Sequence, residues 1–151
     1  MLKKSLFLFS IISSTVIAQN KPIQFITLDP GHFHAALVQN KTYDNVEKVV
    51  NVYAPAGQDL QDHLKRIESY NSRAKNPTNC QENVYQGSDY LEKMIAEKKG
   101  NVLIISGNNK KKTEYIVKAA EAGINILADK PMCIDAKGYI QLQKAFETAK
   151  K

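Results

Sequence analysis

The residues best suited to chemistry lie in two short segments that each follow an apolar run. The first is Asp29-Pro30-Gly31-His32-Phe33-His34, and the second is Asp129-Lys130-Pro131. A glycine between a strand and a helix lets backbone amides approach a phosphate group. The first segment therefore suggests a phosphate site.

The first segment also permits a metal site, because His32 and His34 are two residues apart at a strand end. Histidines at this spacing on an extended backbone can share a metal ion, as they do in amidohydrolase barrels. A hydrolytic site needs further ligands, and His63 is the only other histidine. The chain is also far shorter than the ~250 residues of an eightfold barrel. We therefore predict no metal site, and expect the two histidines to face a nucleotide or substrate, to line a crevice or to cap a helix.

Apolar runs alternate with amphipathic stretches from residue 22 onward, which is typical of a parallel α/β sheet. Strands are predicted at residues 23–28, 46–53, 84–85, 102–105 and 124–128. Helices are predicted at residues 34–40, around Leu60, Leu64 and Ile67, from a Ser88 cap, at 113–122 and from about Asp135. The residues expected on the buried helix faces are Leu91, Met94 and Ile95, and then Tyr139, Leu142 and Phe146. The expected fold is a doubly wound (Rossmann) sheet of order 3-2-1-4-5, with a ligand crevice at the carboxyl ends of strands one and four.

The first 18 residues have the layout of a secretory signal peptide. Lys3 and Lys4 precede a short apolar run, and small residues lead to a cleavage position after Ala18. The run is shorter than the about 20 apolar residues that span a bilayer. We therefore predict export to the periplasm or beyond, without a stable membrane anchor.

The charge of the chain does not indicate a nucleic-acid partner. The formal charge is +6, and cleavage after Ala18 would remove two of the lysines. Much of the remaining excess lies in the run from Lys110 to Lys112, which is predicted to be a solvated helix end. No aromatic residues interleave with it to stack on bases. His63 is likewise predicted on a helix surface, and Cys80 and Cys133 are expected to be either free or paired with each other.

Residues 122–131, Ala-Gly-Ile-Asn-Ile-Leu-Ala-Asp-Lys-Pro, closely resemble a signature of the Gfo/Idh/MocA oxidoreductases. Asp129 stands where that family has glutamate, and Lys130 and Pro131 match it. Residues 101–106 are similar to the family's fourth strand, after which Asn109 matches its Thr-Pro-Asn turn and Lys112 replaces its histidine. The resemblance extends from about residue 23 to residue 151.

The resemblance implies an NAD- or NADP-dependent oxidoreductase that acts on a sugar-like hydroxyl. Lys130 would be the catalytic cation, beside the nicotinamide ring and the substrate. The residues expected to bind cofactor are Gly31, His32, Phe33, Asn109, Asp129, Lys130 and Pro131. Gly31 should lie against the pyrophosphate, with the amides of His32 and Phe33 aimed at it.

The glycine fingerprint is incomplete, which leaves a second function open. Asp29 and His34 replace its first and third glycines, and no acid directly follows strand two, so that Asp59 is the nearest candidate to bind the adenine ribose. An exported, non-catalytic nucleotide- or sugar-binding module is the alternative to an enzyme. The resemblance further implies that residues 22–151 are an incomplete front half, whose missing second domain would supply the substrate pocket. A homo-oligomer of the intact protein is left open.

Overall fold

The computed structural model describes residues 21–150, so the predicted signal peptide lies outside the described residues. Five strands form one sheet in the order β3-β2-β1-β4-β5, and all four neighbouring pairs are parallel. The strands are β1 (Phe25–Leu28), β2 (Val49–Ala54), β3 (Gln81–Gln86), β4 (Val102–Ile105) and β5 (Asn125–Ala128). The helices are α1 (His34–Leu37), α2 (Gln58–Ser72), α3 (Tyr90–Glu97), α4 (Asn109–Glu121) and α5 (Ala136–Ala149). The predicted fold class and strand order are confirmed.

The two central strands are apolar on both faces because helices cover both sides of the sheet. Ile26 and Leu28 of β1 pack in one core with residues of α3, α4 and α5, whereas Phe25 packs in a second core with Leu60 of α2. Successive strand residues point to opposite faces, so one short strand serves both cores. β1 pairs with β4 along its whole length, with Leu28 opposite Ile105, and the two strands therefore end together.

Several element boundaries differ from those predicted. β1 and β2 begin later than expected, and Ile23 and Val46 form only an isolated bridge. β3 is longer than the predicted pair of residues because all six of its residues pair with β2, despite their polar composition. α1 ends at Leu37 instead of residue 40, and α4 begins at Asn109, about one turn earlier than predicted. Pairing between neighbouring strands, which apolar periodicity does not report, sets the limits of the strands.

The last helix buries a smaller face than the sequence indicated. Tyr139 and Phe146 were predicted to be buried but are 55% and 54% exposed, whereas Leu142 and Ala145 are buried. The side chain of Asp135 caps α5 by accepting a 2.6 Å hydrogen bond from the amide of Gly138. At α3 the predicted Ser88 cap is wrong, since Asp89 occupies the capping position without a side-chain capping bond.

Two polar residues predicted on the surface are buried. Lys112 is fully buried, so the lysine run is not a wholly solvated helix end, and His63 is only 3% exposed. The Nε2 atom of His63 lies 3.6 Å from a carboxylate oxygen of Glu82. Both helices turn these residues toward the sheet because their apolar neighbours on the same face must be buried.

Cys80 and Cys133 are both free. Within residues 21–150, no helix combines the length and the apolar character needed to cross a membrane.

Candidate functional site

Three strands bring the candidate residues to one edge of the sheet. β1, β4 and β5 are neighbours, and Asp29, Ser106 and Asp129 directly follow them. The amide of Asp29 donates to the carbonyl of Tyr53, and the amide of Asp129 donates to the carbonyl of Ile105, each at 3.0 Å. The sheet therefore fixes the backbone of both acids, and the carboxyl ends of parallel strands bring residues 100 positions apart into one crevice.

Asp29 directs its carboxylate into the protein and not into the loop that follows it. The residue is 6% exposed, and its Oδ2 atom accepts hydrogen bonds from the Tyr115 hydroxyl at 2.6 Å and from Asn108 Nδ2 at 2.8 Å. Burial raises the pKa of Tyr115, and the hydrogen bond to Asp29 raises it further, so the phenol remains a donor. The negative charge that replaces the first glycine of the fingerprint is therefore held by two donors.

Gly31 lies where two loops approach closely. A Cβ atom on Gly31 would lie 3.2 Å from Asp59 Oδ2 and 3.4 Å from the Cα atom of Gly107. A Cβ atom on Gly107 would lie 2.5 Å from the Cα atom of Gly31, and Gly107 has a φ of +116°. Gly107 therefore requires glycine, because no side chain fits between it and the loop after β1, and a side chain at Gly31 would be tightly packed against the loop after β4.

The amide of His32 does not point into open space as predicted. It donates to the carbonyl of Ser106 at 3.2 Å and so joins the loops after β1 and β4. Phe33 is 44% exposed, and the guanidinium of Arg66 lies 5.9 Å from the centre of its ring. Of the two predicted amides, that of His32 is therefore already used within the protein.

The side chains of His32, His34 and Asp129 converge in this crevice. The Nδ1 atom of His34 lies 3.0 Å from Asp129 Oδ2, and the Nδ1 atom of His32 lies 3.4 Å from the same oxygen. The hydroxyl of Ser106 also donates to Asp129 Oδ2, at 2.9 Å. We refer to His32, His34 and Asp129 as the His–His–Asp cluster. The replacement of the third fingerprint glycine by His34 thus places a side chain against the acid after β5.

Lys112 supports the turn that contains Asp129. Its buried Nζ atom donates to the carbonyls of Asp129 and Lys130 at 3.2 and 3.4 Å, and lies 3.8 Å from Asp129 Oδ1. Burial raises the pKa of Asp129, but hydrogen bonds from His34 and Ser106 and the charge of Lys112 outweigh it, so that the net pKa is lowered. Asp129 is therefore ionised near neutral pH.

The remaining predicted residues surround the cluster. Lys130 and Pro131 follow Asp129 with exposed side chains, and the peptide bond between them is cis. Asn109 is exposed at the first position of α4, and its neighbour Asn108 makes the contact with Asp29.

Sequence reasoning missed four residues of the site, namely Ser106, Asn108, Lys112 and Tyr115. The helical spacing of residues in the sequence could have identified two of them. Lys112 and Tyr115 lie on the same helical face as Ile116 and Ala119, and all four are buried. The spacing of the apolar residues of α4 therefore placed Lys112 on the inner face, whereas its charge favoured the surface.

The loop after β1 fits the phosphates of a dinucleotide at two of its positions. Gly31 provides backbone without a side chain at the switch point of the sheet, and two internal donors hydrogen-bond the carboxylate of Asp29. Asp59 of α2 lies beside Gly31 as the nearest acid for a ribose hydroxyl. Gly31 and Phe33 of this loop, together with Asp59, are the residues that would hold the cofactor.

Comparison with known proteins supports the same assignment. Residues 28–151 match the model of the oxidoreductase family with an NAD-binding Rossmann fold, Gfo/Idh/MocA. A proposed oxidoreductase from Parabacteroides merdae ATCC 43184 has a solved structure that is 60% identical, with a TM-score of 0.85, over 86% of this chain and 30% of that one. A comparison with curated protein sequences gave no significant match.

More distant structures share the fold. Myo-inositol 2-dehydrogenase from Lactobacillus plantarum is 18% identical, with a TM-score of 0.58, over 85% of this chain and 34% of that one. The WlbA dehydrogenase from Chromobacterium violaceum, solved with NADH and UDP-GlcNAcA, is 19% identical, with a TM-score of 0.55, over 87% and 34% of the two chains. The chain thus spans about a third of the length of these proteins. It belongs to the Gfo/Idh/MocA oxidoreductase family and forms the NAD-binding Rossmann domain of that family.

Proposed function

We propose that the intact protein oxidises or reduces a sugar-like hydroxyl with NAD or NADP, and that Lys130 is its catalytic cation. The observation that carries the proposal is the contact between the two predicted functional segments. Asp129, immediately before Lys130, is hydrogen-bonded to His34 of the loop that would hold the cofactor. The cofactor loop and the lysine turn therefore form one site.

In this proposal Lys130 acts on the substrate oxygen. When bound, the nicotinamide cofactor accepts a hydride from the substrate carbon or donates one to it. The ammonium group of Lys130 would stabilise the oxygen as its proton leaves or arrives, because a nearby positive charge favours the alkoxide. Lys112 is a positioning residue, since its bonds to the carbonyls of Asp129 and Lys130 hold the turn in place.

Polyhydroxylated rings are the substrate class that we favour. Two proteins with the same fold are an inositol dehydrogenase and a dehydrogenase solved in complex with a sugar nucleotide. The part of the relatives' length that this chain does not span would supply the substrate pocket and the remaining acid–base residues.

The test uses the full-length protein. NAD or NADP should raise its melting temperature, because a ligand that binds only the folded state stabilises it by mass action. Lys130→Ala should lower kcat far more than cofactor affinity. Lys137→Ala, an exposed lysine of α5, is the matched control and should leave both quantities unchanged.

The alternative is a non-catalytic binding module. It is favoured by the bond between the His32 amide and Ser106, and by the length of α1, which has only four residues to present to a phosphate. Full-length protein that shows no thermal shift with either nicotinamide cofactor, but shifts with a sugar, would refute the enzyme and favour this module.

We also propose that the protein is exported. The basic start and apolar run of residues 1–18 support this, together with the small residues before Gln19. Mass spectrometry of the mature protein should find Gln19 at its N-terminus. An intact Met1 in protein recovered from the native cells would contradict export by this signal.

A further inference from the structure

We propose that His32, His34 and Asp129 bind one divalent transition-metal ion of the zinc class. Each of the three residues offers one ligand atom, and the three atoms lie within 4.8 Å of one another. The sequence alone indicated no metal site because the two histidines lacked a third ligand. The fold supplies that ligand from the end of β5, 95 residues from His34.

Two of the three distances within the cluster match those between ligands on one metal ion, and the third is at most 4.8 Å. Zinc binds imidazole nitrogen and carboxylate oxygen at about 2.0–2.1 Å, so two ligands of a tetrahedral ion lie roughly 3.3 Å apart. The Nδ1 atoms of His32 and His34 lie 3.4 and 3.0 Å from Asp129 Oδ2. An ion could therefore take the place of the contacts between the two imidazoles and Asp129 Oδ2, with only small movements of the side chains.

The donor set selects the class of metal. Two imidazoles and one carboxylate suit zinc and other divalent transition metals, whereas magnesium prefers oxygen ligands and retains water. The imidazole side chains are 44% and 37% exposed, and that of Asp129 is 15% exposed. The ion would thus be held from the protein side and would keep at least one coordination position open to the crevice, as ions that bind exogenous ligands do.

Neighbouring groups orient the carboxylate of Asp129 and also limit the affinity of the cluster for a metal ion. Ser106 donates to Asp129 Oδ2 and orients it, which is the usual role of residues behind a metal ligand. The ammonium of Lys112 lies 3.8 Å from Oδ1, an oxygen that is buried without a hydrogen-bond partner. Its positive charge opposes a second cation, so we expect weaker binding than at a structural site with four ligands.

The experiment measures metal binding by the full-length protein, produced without a histidine tag and stripped with a chelator. Titration with Co²⁺ should produce visible absorption bands that saturate at one ion per chain. Zn²⁺ should abolish these bands and Mg²⁺ should not. In the unmodified protein, the imidazole proton resonances of His32 and His34 should be shifted by paramagnetic Co²⁺ much more than those of His63, a readout that needs no variant.

Variants then identify the ligands. His34→Ala and Asp129→Asn should each weaken Co²⁺ affinity by about 100-fold or more, and Ser106→Ala by roughly 10-fold, given the effect of residues behind a ligand. The matched controls are His63→Gln and Asp44→Asn, which remove a histidine and an acid outside the cluster and should not change affinity. Far-ultraviolet circular dichroism confirms that each variant is folded.

The proposal is overturned if the protein binds no stoichiometric Co²⁺, or if His34→Ala and Asp129→Asn bind it as tightly as the unmodified protein. It is also overturned if the shifted resonances belong to His63. The readout does not involve nicotinamide cofactor or turnover, so its failure would leave the proposed oxidoreductase function intact, and failure of that function would leave the metal site intact.

Discussion

Replacing Tyr115 with Phe removes one buried hydroxyl and leaves the rest of the side chain in place. The hydroxyl donates to Asp29 Oδ2 at 2.6 Å, where both residues are at most 6% exposed. Asp29 would keep Asn108 as a donor, and Tyr90 would keep its bond from Lys111. The Tyr115 hydroxyl also contacts the Tyr90 hydroxyl at 2.5 Å, so the substitution removes the bond to a buried carboxylate together with this contact.

The expected loss is at least about 1.5–3 kcal/mol of the free energy of unfolding, the usual range for a hydrogen bond to a charged group, because the contact with Tyr90 is lost as well. This corresponds to a factor of roughly 10 to 150 in the unfolding equilibrium, since about 1.4 kcal/mol is tenfold. With a urea m-value of about 1–3 kcal/mol/M, the midpoint of unfolding should fall by about 1 M. Equilibrium urea denaturation followed by circular dichroism measures the shift.

Tyr85→Phe is a matched control, because Tyr85 also donates to a carboxylate at 2.6 Å, that of Asp89, but on the surface. Its midpoint should not change measurably, because an exposed donor and acceptor regain water. If Tyr115→Phe is as stable as the unmodified protein, or if both variants lose the same free energy of unfolding, the Tyr115 hydroxyl does not stabilise the Asp29 carboxylate. In full-length protein Tyr115→Phe should also weaken NAD(P) binding, because the carboxylate beside the phosphate loop loses a donor.

Further substitutions test other parts of the fold. Gly107→Ala should destabilise the chain by about 1–3 kcal/mol in thermal unfolding, since it adds strain at positive φ and overlap with the facing loop. Gly123→Ala, at positive φ but in open space, should lower the stability by less. An equal loss in the two variants would show that overlap with the facing loop contributes nothing. Asp135→Ala should lower the free energy of unfolding by about 0.5–2 kcal/mol through loss of the α5 cap, whereas Asp44→Ala should not change it. Equal urea midpoints for the two variants would contradict the capping role. Hydrogen bonds from a tyrosine and a lysine lower the pKa of Glu97 to about 2, so its contribution to stability is fully present above the unfolded-state pKa near 4.5 and is lost as pH falls toward 2. The stability difference between the unmodified protein and Glu97→Gln should shrink over that range in urea titrations, and a difference independent of pH would refute the assignment.

The class and order of the fold could be predicted from the sequence because they depend on local patterns. Four apolar branched residues at 102–105 specify a strand buried on both faces, and the alternation of such runs with amphipathic helices permits few topologies. The residues around Lys130 identified the family in the same way, since they are contiguous in the chain. Gly31 was predicted to lie against a cofactor pyrophosphate, and the structure places it against Gly107 of the loop after β4.

Other features depend on which distant residues meet. β3 is polar, and only its pairing with β2 makes it a six-residue strand. Tyr139, Leu142 and Phe146 share the helical spacing of a buried face, but α5 buries only Leu142 of these, together with Ala145. Periodicity reports that a helix has an apolar side, and not how much of that side its neighbours cover.

The sequence by itself determined the strands, the turns at their ends and the kinds of residue in those turns. Only the tertiary structure decided that His34 and Ser106 both contact Asp129, and that Lys112 lies buried behind it. The physical reason is that parallel strands with right-handed crossovers align their carboxyl ends, so residues 20 to 100 positions apart meet at one edge. Lys112 is buried because α4 must bury its apolar neighbours on the same face. The carbonyls of Asp129 and Lys130 at that edge accept hydrogen bonds from its ammonium group.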